Sequence, residues 1–579
     1  MAKAVVRAQI IALAIMYFVS GCSSSKQILD KQKILKLALP DSVHSSDPVN
    51  SYDTNSLEVN FQIYEGLYQY NYETSAIEPL LASAMPKVSK DRLRYIIPIR
   101  KDIYFHDDPC FKNGVGRQVT AHDFIYEWKR LADPRTESQG FWIFSKRIVG
   151  FSQYQEKFNR RPSTEVMKEN IPGFKVLDDF TIEINLTQPL PQLLDLLVMH
   201  FTAPVPYEAI EMYGKDFVNH PVGTGPFKVK SWKYNSKIEL VKNEKYREVY
   251  YKGKRLPFLD GIDFTIIKEE QPRWLGFLSN SLDQILLPKD NFYSAIDQNF
   301  KLRGQLQKKG IQLAVDKGVR YWYINFNMRD PVVGKSKYLR QAIASTINRE
   351  LWLDIFKNNR GSVQTEVNPP IASERCGNGY KWEYNLERAK ALLAKAGFPE
   401  GKGLPKLRFD TRNTSMSERQ LAEFIAKSVK RIGIDVEVVV NTFPAYLEKW
   451  TKGNLQMNHS GYIPDFPDPE NNFQMLYGPN QPPGSNEASF NNSEFDRLYL
   501  KMARMQPGKS RKKVICEMES IVQEELPWAY GVYEDYYRLT QKRVLNFQAR
   551  ELVSNKWKYV DIQNQEFLED KTKQTYATK

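Results

Sequence analysis

The clearest hydrophobic patterning lies between residues 385 and 440. Asn385 precedes an amphipathic run to Ala396 that stops at Gly397, which reads as a capped helix. Pro399, Gly401, Gly403 and Pro405 then mark a loop. Leu404 to Thr411 reads as a strand. Ser417 to Arg431 predicts a helix with Leu421, Phe424, Ile425 and Ile432 on one face, closed by Gly433. Ile434, Val436, Val438 and Val440 alternate as a second strand. Strand, helix and strand make a βαβ unit, whose strands run parallel with a right-handed crossover. The fold class of this part of the chain is α/β.

Two other stretches are β-rich. Leu93 to Phe105 alternates through Tyr95, Ile97, Ile99 and Ile103, and Phe174 to Leu186 repeats the pattern around a turn region at Lys175-Val176 and Asp178-Asp179. Between them Thr120 caps a helix to about Leu131, ended by Asp133-Pro134. Pro221 to Phe227 is a turn leading into a strand with Val229 and Trp232. Its glycines are not followed by GK[ST] or a helix, so it is not a phosphate loop. No internal repeat is present.

Length and composition narrow the class. At 579 residues the chain is long enough for roughly three or four domain-sized units. Hydrophobic residues make up 42% and mean hydropathy is -0.52, which excludes wholesale disorder and a polytopic membrane protein. The net charge of +14 is spread along the chain, and no zinc-finger or RRM motif accompanies it, so a nucleic-acid partner is not expected. An anionic envelope surface suits the charge better. Four cysteines rule out a disulfide scaffold. For Cys110, Cys376 and Cys516 the expectation is free, buried thiols, with a Cys110 to Cys376 bridge as the alternative.

The first residues read as an export signal. Lys3 and Arg7 form a basic start, Ala8 to Val19 are mostly apolar, and Val19-Ser20-Gly21-Cys22 follows. Twelve such residues are too few for a spanning helix across about 30 Å of hydrocarbon. The pattern resembles a bacterial lipoprotein signal, which implies residues 1–21 as the signal peptide, Cys22 as the lipidated residue, and 22–30 as a tether. The implied location is the bacterial cell envelope, lipid-anchored and facing periplasm or exterior.

Several segments, in order, resemble the family 5 extracellular solute-binding proteins, the peptide- and nickel-binding receptors of ABC importers. They are LLASAMPKVSKDRLRYIIPIRKDIYFHDDPCF from Leu80, RQVTAHDFIYEWKRLADP to Pro134, HPVGTGPFKVKSW at 220–232, YWYINFNMRDP at 321–331 and LRQAIASTINRE at 339–350. NLERAKALLAKAGFPEGKGLP at 385–405, GYIPDFPDPENNFQMLYG at 461–478 and FNNSEFDRL at 490–498 complete the set. The resemblance implies a periplasmic-binding-protein-like Venus flytrap: two lobes plus a smaller β-rich insertion domain. The base lobe would comprise 26–64, 201–319 and 528–579, the insertion 65–200, and the opposing α/β lobe 320–527. The implied function is capture of peptides, oligopeptides in particular, in the interlobe cleft, with delivery to an ABC permease. A monomer without cofactor is expected. Receptors for a non-peptide ligand such as a nickel chelate, and a structural or sensory envelope lipoprotein, remain as alternatives.

The same resemblance assigns site residues. A receptor tolerant of side chains must bind what all peptides share: an ammonium, a repeating backbone and a carboxylate. The family's ammonium-binding Asp matches Asp465, beside Tyr462, and the main chain at Gly461 and Ile463 would pair with the ligand. The loop after Asp47-Pro48, from Ser51 to Thr54 with Tyr52, would face the ligand from the other side. Phe141 and Phe443 match aromatic pocket positions. Pro464 has no N–H to offer. His459 and Glu418 stand where oligopeptide receptors can place a basic residue for the ligand carboxylate, and such a pair holds a carboxylate poorly.

Enzyme motifs are missing. The sequence has no HExxH, GxSxG or Walker A, and its six histidines show no ligand-pair spacing. Asp465, Asp468 and Glu470 could be read as a glycosidase acid/base set, and His106, Asp107 and Asp108 as a metal cluster, but neither reading has more than sequence proximity behind it.

Overall fold

The computed structural model describes residues 32–51, 53–138, 140–482 and 484–563; Cys22 and Tyr52 lie outside the described residues. Ile34–Leu39 pairs in parallel with Gly261–Ile266, which continues antiparallel into Lys237–Lys242 and then Phe227–Lys233. A second sheet, antiparallel throughout, joins Lys87–Val88, Arg94–Pro98, Thr181–Asn185 and Phe174–Asp178. One continuous apolar core joins the two sheets.

The expected helix at 121 is present as Ala121–Arg130, with Thr120 and Asp123 forming a capping box. Its Trp128 is fully buried and packs on Phe144 and Phe174. That packing sets the hairpin register. Lys175 and Val176, expected in the turn, lie inside the strand, and the reversal falls at Asp179-Phe180. The ladder expected over 93–105 is confined to Arg94–Pro98, where Pro98 ends it for want of a donor. Tyr95, Ile97, Ile99 and Ile103 are nonetheless all buried, as their alternation requires.

The largest sheet contains β1 Gln284–Leu286, β2 Gln312–Phe326, β3 Gly361–Val363, β4 Leu407–Asp410, β5 Val436–Val439, β6 Met457–Tyr462 and β7 Trp528–Thr540. Its order is β1-β7-β2-β6-β4-β5, with β3 also on β7. The βαβ unit is present: β4 and β5 are parallel, from Leu407 opposite Val436 to Asp410 opposite Val439, and the helix Met416–Lys430 connects them. β4 starts later than expected, beyond Pro405. The helix is capped by Ser415, whose hydroxyl accepts from the Glu418 N–H.

β2 and β7 are the long strands that cross between two cores. Their outer halves, Gln312–Asp316 and Tyr536–Thr540, are paired to each other, and Leu539 packs with Trp274, Phe277 and Leu306. Their inner halves, from Arg320 and up to Glu534, enter a separate core with Leu339, Trp352 and Ile425. The ladder is interrupted between Asp316 and Arg320. Gly318 sits in that gap with φ +59, donates its N–H to Asp535 Oδ1 at 2.7 Å, and has Pro370 where a Cβ would go. A side chain there would meet both a left-handed backbone and the proline ring.

The cysteine expectation is corrected. Cys376 and Cys516 form a disulfide across 140 residues of sequence, with Cα atoms 5.4 Å apart. It ties the segment after β3 to the helix Lys509–Glu525, which packs there through Glu519, the acceptor of the Val367 N–H. Cys110 is free and only half-buried, and the alternative bridge to Cys376 is not formed because Cys376 is bonded to Cys516. Among the described residues no helix is long and apolar enough to cross a membrane.

Candidate functional site

β4, β5 and β6 share one direction, so their carboxyl ends open on one edge of the sheet, the edge at which open α/β sheets hold ligands. Glu418 near the start of the helix Met416–Lys430, Phe443 at the start of the helix Phe443–Thr451, and His459 to Asp465 are all placed there by the chain reversals after these strands. These residues therefore lie in segments that follow the carboxyl ends of parallel strands, and of them His459 and Glu418 are in direct contact.

β6 supplies a backbone edge. Along its whole length it pairs with β2, Met457 opposite Phe326 through Tyr462 opposite Tyr321. On its other side β4 covers only Met457 and Asn458. From His459 to Tyr462 that side has no strand partner among the described residues. In an antiparallel ladder alternate residues turn their N–H and C=O away from the partner, so this stretch presents peptide groups to an incoming chain. Gly461 is required by packing: a Cβ would lie 2.4 Å from the Trp322 ring opposite it.

Asp465 follows directly. Its Oδ2 accepts from the Tyr462 hydroxyl at 2.5 Å and from Asn471 Nδ2 at 3.2 Å, and its N–H donates to Asn471 Oδ1 at 2.9 Å. The residue is solvent-exposed, yet protein crowds it: desolvation raises its pKa above the ordinary range, against the opposing effect of Tyr462 and Asn471. Exposure together with desolvation describes a carboxylate on the wall of a recess. Its charge also contributes to the raised pKa values of Tyr321 and of Tyr70, a residue from the other body of the protein. Tyr70 donates to Asp195 Oδ1 at 2.7 Å, and burial pushes Asp195 up to about 7.

Asn471 was not foreseen. It is fully buried in the short helix Pro469–Phe473 and orients both Tyr462 and Asp465. Its place six residues after Asp465, past a proline-bounded turn, gave no periodic cue.

His459 and Glu418 are partners of each other. His459 Nδ1 lies 3.1 Å from Glu418 Oε1, and the ring stacks on Trp322 with centroids 4.6 Å apart. Burial lowers the His459 pKa while Glu418 pulls it back; burial raises Glu418, but the attraction of His459, Arg412 and Lys357 together outweighs it and holds the carboxyl below its usual range. Arg412, half-buried at the carboxyl end of β4, contributes to both shifts and, among the described residues, has no carboxylate within 4 Å. Sequence reading passed over this cation because it stands in an irregular loop.

Phe141 and Phe443 are 42% and 45% exposed, which makes neither a core residue. Phe141 opens the turn leading to Arg147, whose guanidinium reaches Glu470 of the opposing body at 2.9 Å. Beside it Gln192 donates to Asp468 at 3.1 Å, and Phe466 packs into the core shared by the two smaller sheets. Asp468 and Glu470 are thereby engaged structurally. Asp468 caps the helix Pro469–Phe473 and receives the buried Arg511, while Glu470 also takes the Tyr499 hydroxyl. The cluster at 106–108 is dispersed as well. His106 is buried on the Gly225 carbonyl with its pKa lowered to about 4 by desolvation, Asp107 pairs with Lys245, and Asp108 accepts from Tyr213. Among the described residues no group of His, Cys, Asp and Glu is arranged to hold a metal ion.

Comparison with known proteins agrees with this architecture. The dipeptide-binding protein DppE of Bacillus subtilis is 24% identical over 95% of this chain and 97% of its own length. Heme-binding protein A of Haemophilus influenzae is 26% identical over 81% of each. The solved periplasmic binding protein DppA of Helicobacter pylori, in complex with the peptide STSA, superposes with a TM-score of 0.75 at 25% identity, covering 91% of this chain and 98% of that one. An oligopeptide-binding protein of Borrelia burgdorferi gives the same TM-score at 24% identity, over 92% and 100%. The fold is the two-lobed one of these periplasmic binding proteins. Residues 76–484 match the model of the bacterial extracellular solute-binding proteins, family 5, and the chain belongs to that family, whose members bind solutes for transport rather than catalyse reactions.

Proposed function

We propose that this protein is the peptide receptor of an ABC importer, anchored to the cell envelope through a lipid on Cys22. The observation that carries the reading is Asp465: a carboxylate with one oxygen bonded to Tyr462 and Asn471, open to solvent in a crowded recess, immediately beyond an uncovered strand edge. A peptide adding to β6 from His459 to Tyr462 would pair its backbone with that edge and bring its ammonium to Asp465. The importers' peptide-binding relatives support the choice of ligand. The bodies on either side of the site are linked by β2 and β7 at the ladder break near Gly318, a suitable place for hinge bending. Arg147–Glu470 and Gln192–Asp468 join the two sides of the site, and a ligand touching both sides would add to such contacts, favour the closed state and signal occupancy.

Native mass spectrometry of protein purified without denaturation tests the reading. Peptide cargo is the expected result, and the same peptides incubated with the protein should remain intact. Cleavage products would overturn it. A second reading, a receptor for a non-peptide ligand, is favoured by the likeness to heme-binding protein A and by the mutual neutralisation of His459 and Glu418; a tetrapyrrole or other non-peptide cargo would establish it.

A further inference from the structure

A cavity of about 1520 Å³, to whose lining Asp465 does not contribute, lies between the helices Ala121–Arg130 and Tyr207–Tyr213 and the segment around Phe174. Its walls are largely apolar, with Ile125, Tyr126, Phe174, Tyr207 and Ile210 among them. Tyr126 and Tyr207 meet edge to face, 6.4 Å between centroids. The volume exceeds the roughly 300–1,000 Å³ of ordinary small-molecule sites, so a bulky guest fits.

The charges lining it are not equivalent. Arg117 is held by Asp123 and Glu208, Arg130 by Asp47 and Glu127, Arg135 by Asp133, Lys168 by Glu165 and Lys175 by Glu183, while Lys215 is exposed to solvent. Lys129 differs. It is half-buried, its Nζ donates to the Met167 carbonyl at 3.1 Å, and among the described residues no carboxylate lies within 4 Å of it. Desolvation lowers its pKa with no opposing charge named among the causes. A partly buried ammonium without a counter-charge is costly, and an anionic guest would remove that cost. The acidic residues in the same walls, Asp47, Asp123, Asp133, Glu137 and Glu211, disfavour a multiply charged anion such as a phosphate ester.

We propose that this cavity is a second ligand site, separate from the Asp465 recess, that takes an amphiphilic organic monoanion: an apolar or aromatic body against Tyr126, Tyr207 and Ile210, and one acid group on Lys129. The guest class is defined by the pairing of a half-buried cation that has no carboxylate partner among the described residues with aromatic and aliphatic walls. Its occupation does not depend on the peptide reading of the other site.

Fluorescence titration of the purified full chain with 1-anilinonaphthalene-8-sulfonate, and with the uncharged N-phenyl-1-naphthylamine, tests it. Lys129→Met should weaken the sulfonate by roughly tenfold or more, as for loss of a charged hydrogen bond, and leave the neutral probe unchanged. Ile210→Trp, which fills the cavity, should weaken both, whereas Asp465→Ala should change neither. Unaltered sulfonate affinity in Lys129→Met, or equal losses for both probes, would overturn the assignment. Should Lys129→Met fail to fold, unaltered affinity for both probes in Ile210→Trp overturns it on its own.

Discussion

Replacing Asp465 by Asn removes a charge while keeping the side chain's size. One carboxylate oxygen is bonded to Tyr462 and Asn471, and among the described residues no side chain bonds the other. A peptide ammonium arriving there would be desolvated as the lobes close. Loss of one member of a buried ion pair costs about 3–5 kcal/mol. Because Asp465 is solvent-exposed, screening argues for the lower end, about 3 kcal/mol, or roughly 150-fold in Kd. An N-acetylated version of the same peptide has no ammonium to lose, and its Kd should change by less than about threefold. The pH dependence carries a definite sign. Burial raises the pKa of Asp465 in the free protein, and a bound ammonium would lower it. Affinity should therefore be complete above the free-state pKa and fall as pH drops through it, while Asp465→Asn should lack that phase. Isothermal titration calorimetry of both peptides across that range decides the matter. Equal losses for free and acetylated peptides, or the same pH phase in the variant, would refute the assigned role.

Arg511→Met should destabilise the fold by about 3–5 kcal/mol in denaturant titration, because the fully buried guanidinium serves both Asp468 and Glu374; Arg511→Met with Asp468→Asn should recover part of that loss. Glu127, buried by Arg130, has to share this cation with Asp47, and desolvation pushes its pKa up to about 8. A raised carboxyl pKa means that the folded state binds the extra proton between about 4.5 and 8, so stability falls as pH rises through that window. Glu127→Gln should flatten the curve by up to about 1.4 kcal/mol per pH unit there, read from urea midpoints at successive pH values. Cys22→Ser should release the exported protein from membranes into the soluble fraction on fractionation and immunoblotting; retention would remove the lipid anchor.

The sequence by itself determined the elements whose cause is local. Asn385, Thr120 and Gly433 marked helix ends because caps and stops depend on a few adjacent residues, and the 404–440 periodicity identified a parallel βαβ unit. The resemblance of ordered segments pointed to Asp465, three residues beyond the end of β6. Tertiary structure decided what depends on distant chain segments meeting. The pairing of Cys376 with Cys516 follows from packing a helix against a loop 140 residues away. His459 became a partner of Glu418 because β6 lies beside β4, and the bare edge from His459 to Tyr462 exists because β4 ends at Asp410. The uncompensated charge of Lys129 likewise depends on which carboxylates the fold assigns to Arg117, Arg130 and Arg135. Hydrophobic periodicity reports which face of an element is buried; only the assembled fold determines what that face meets and which polar groups are left for a ligand.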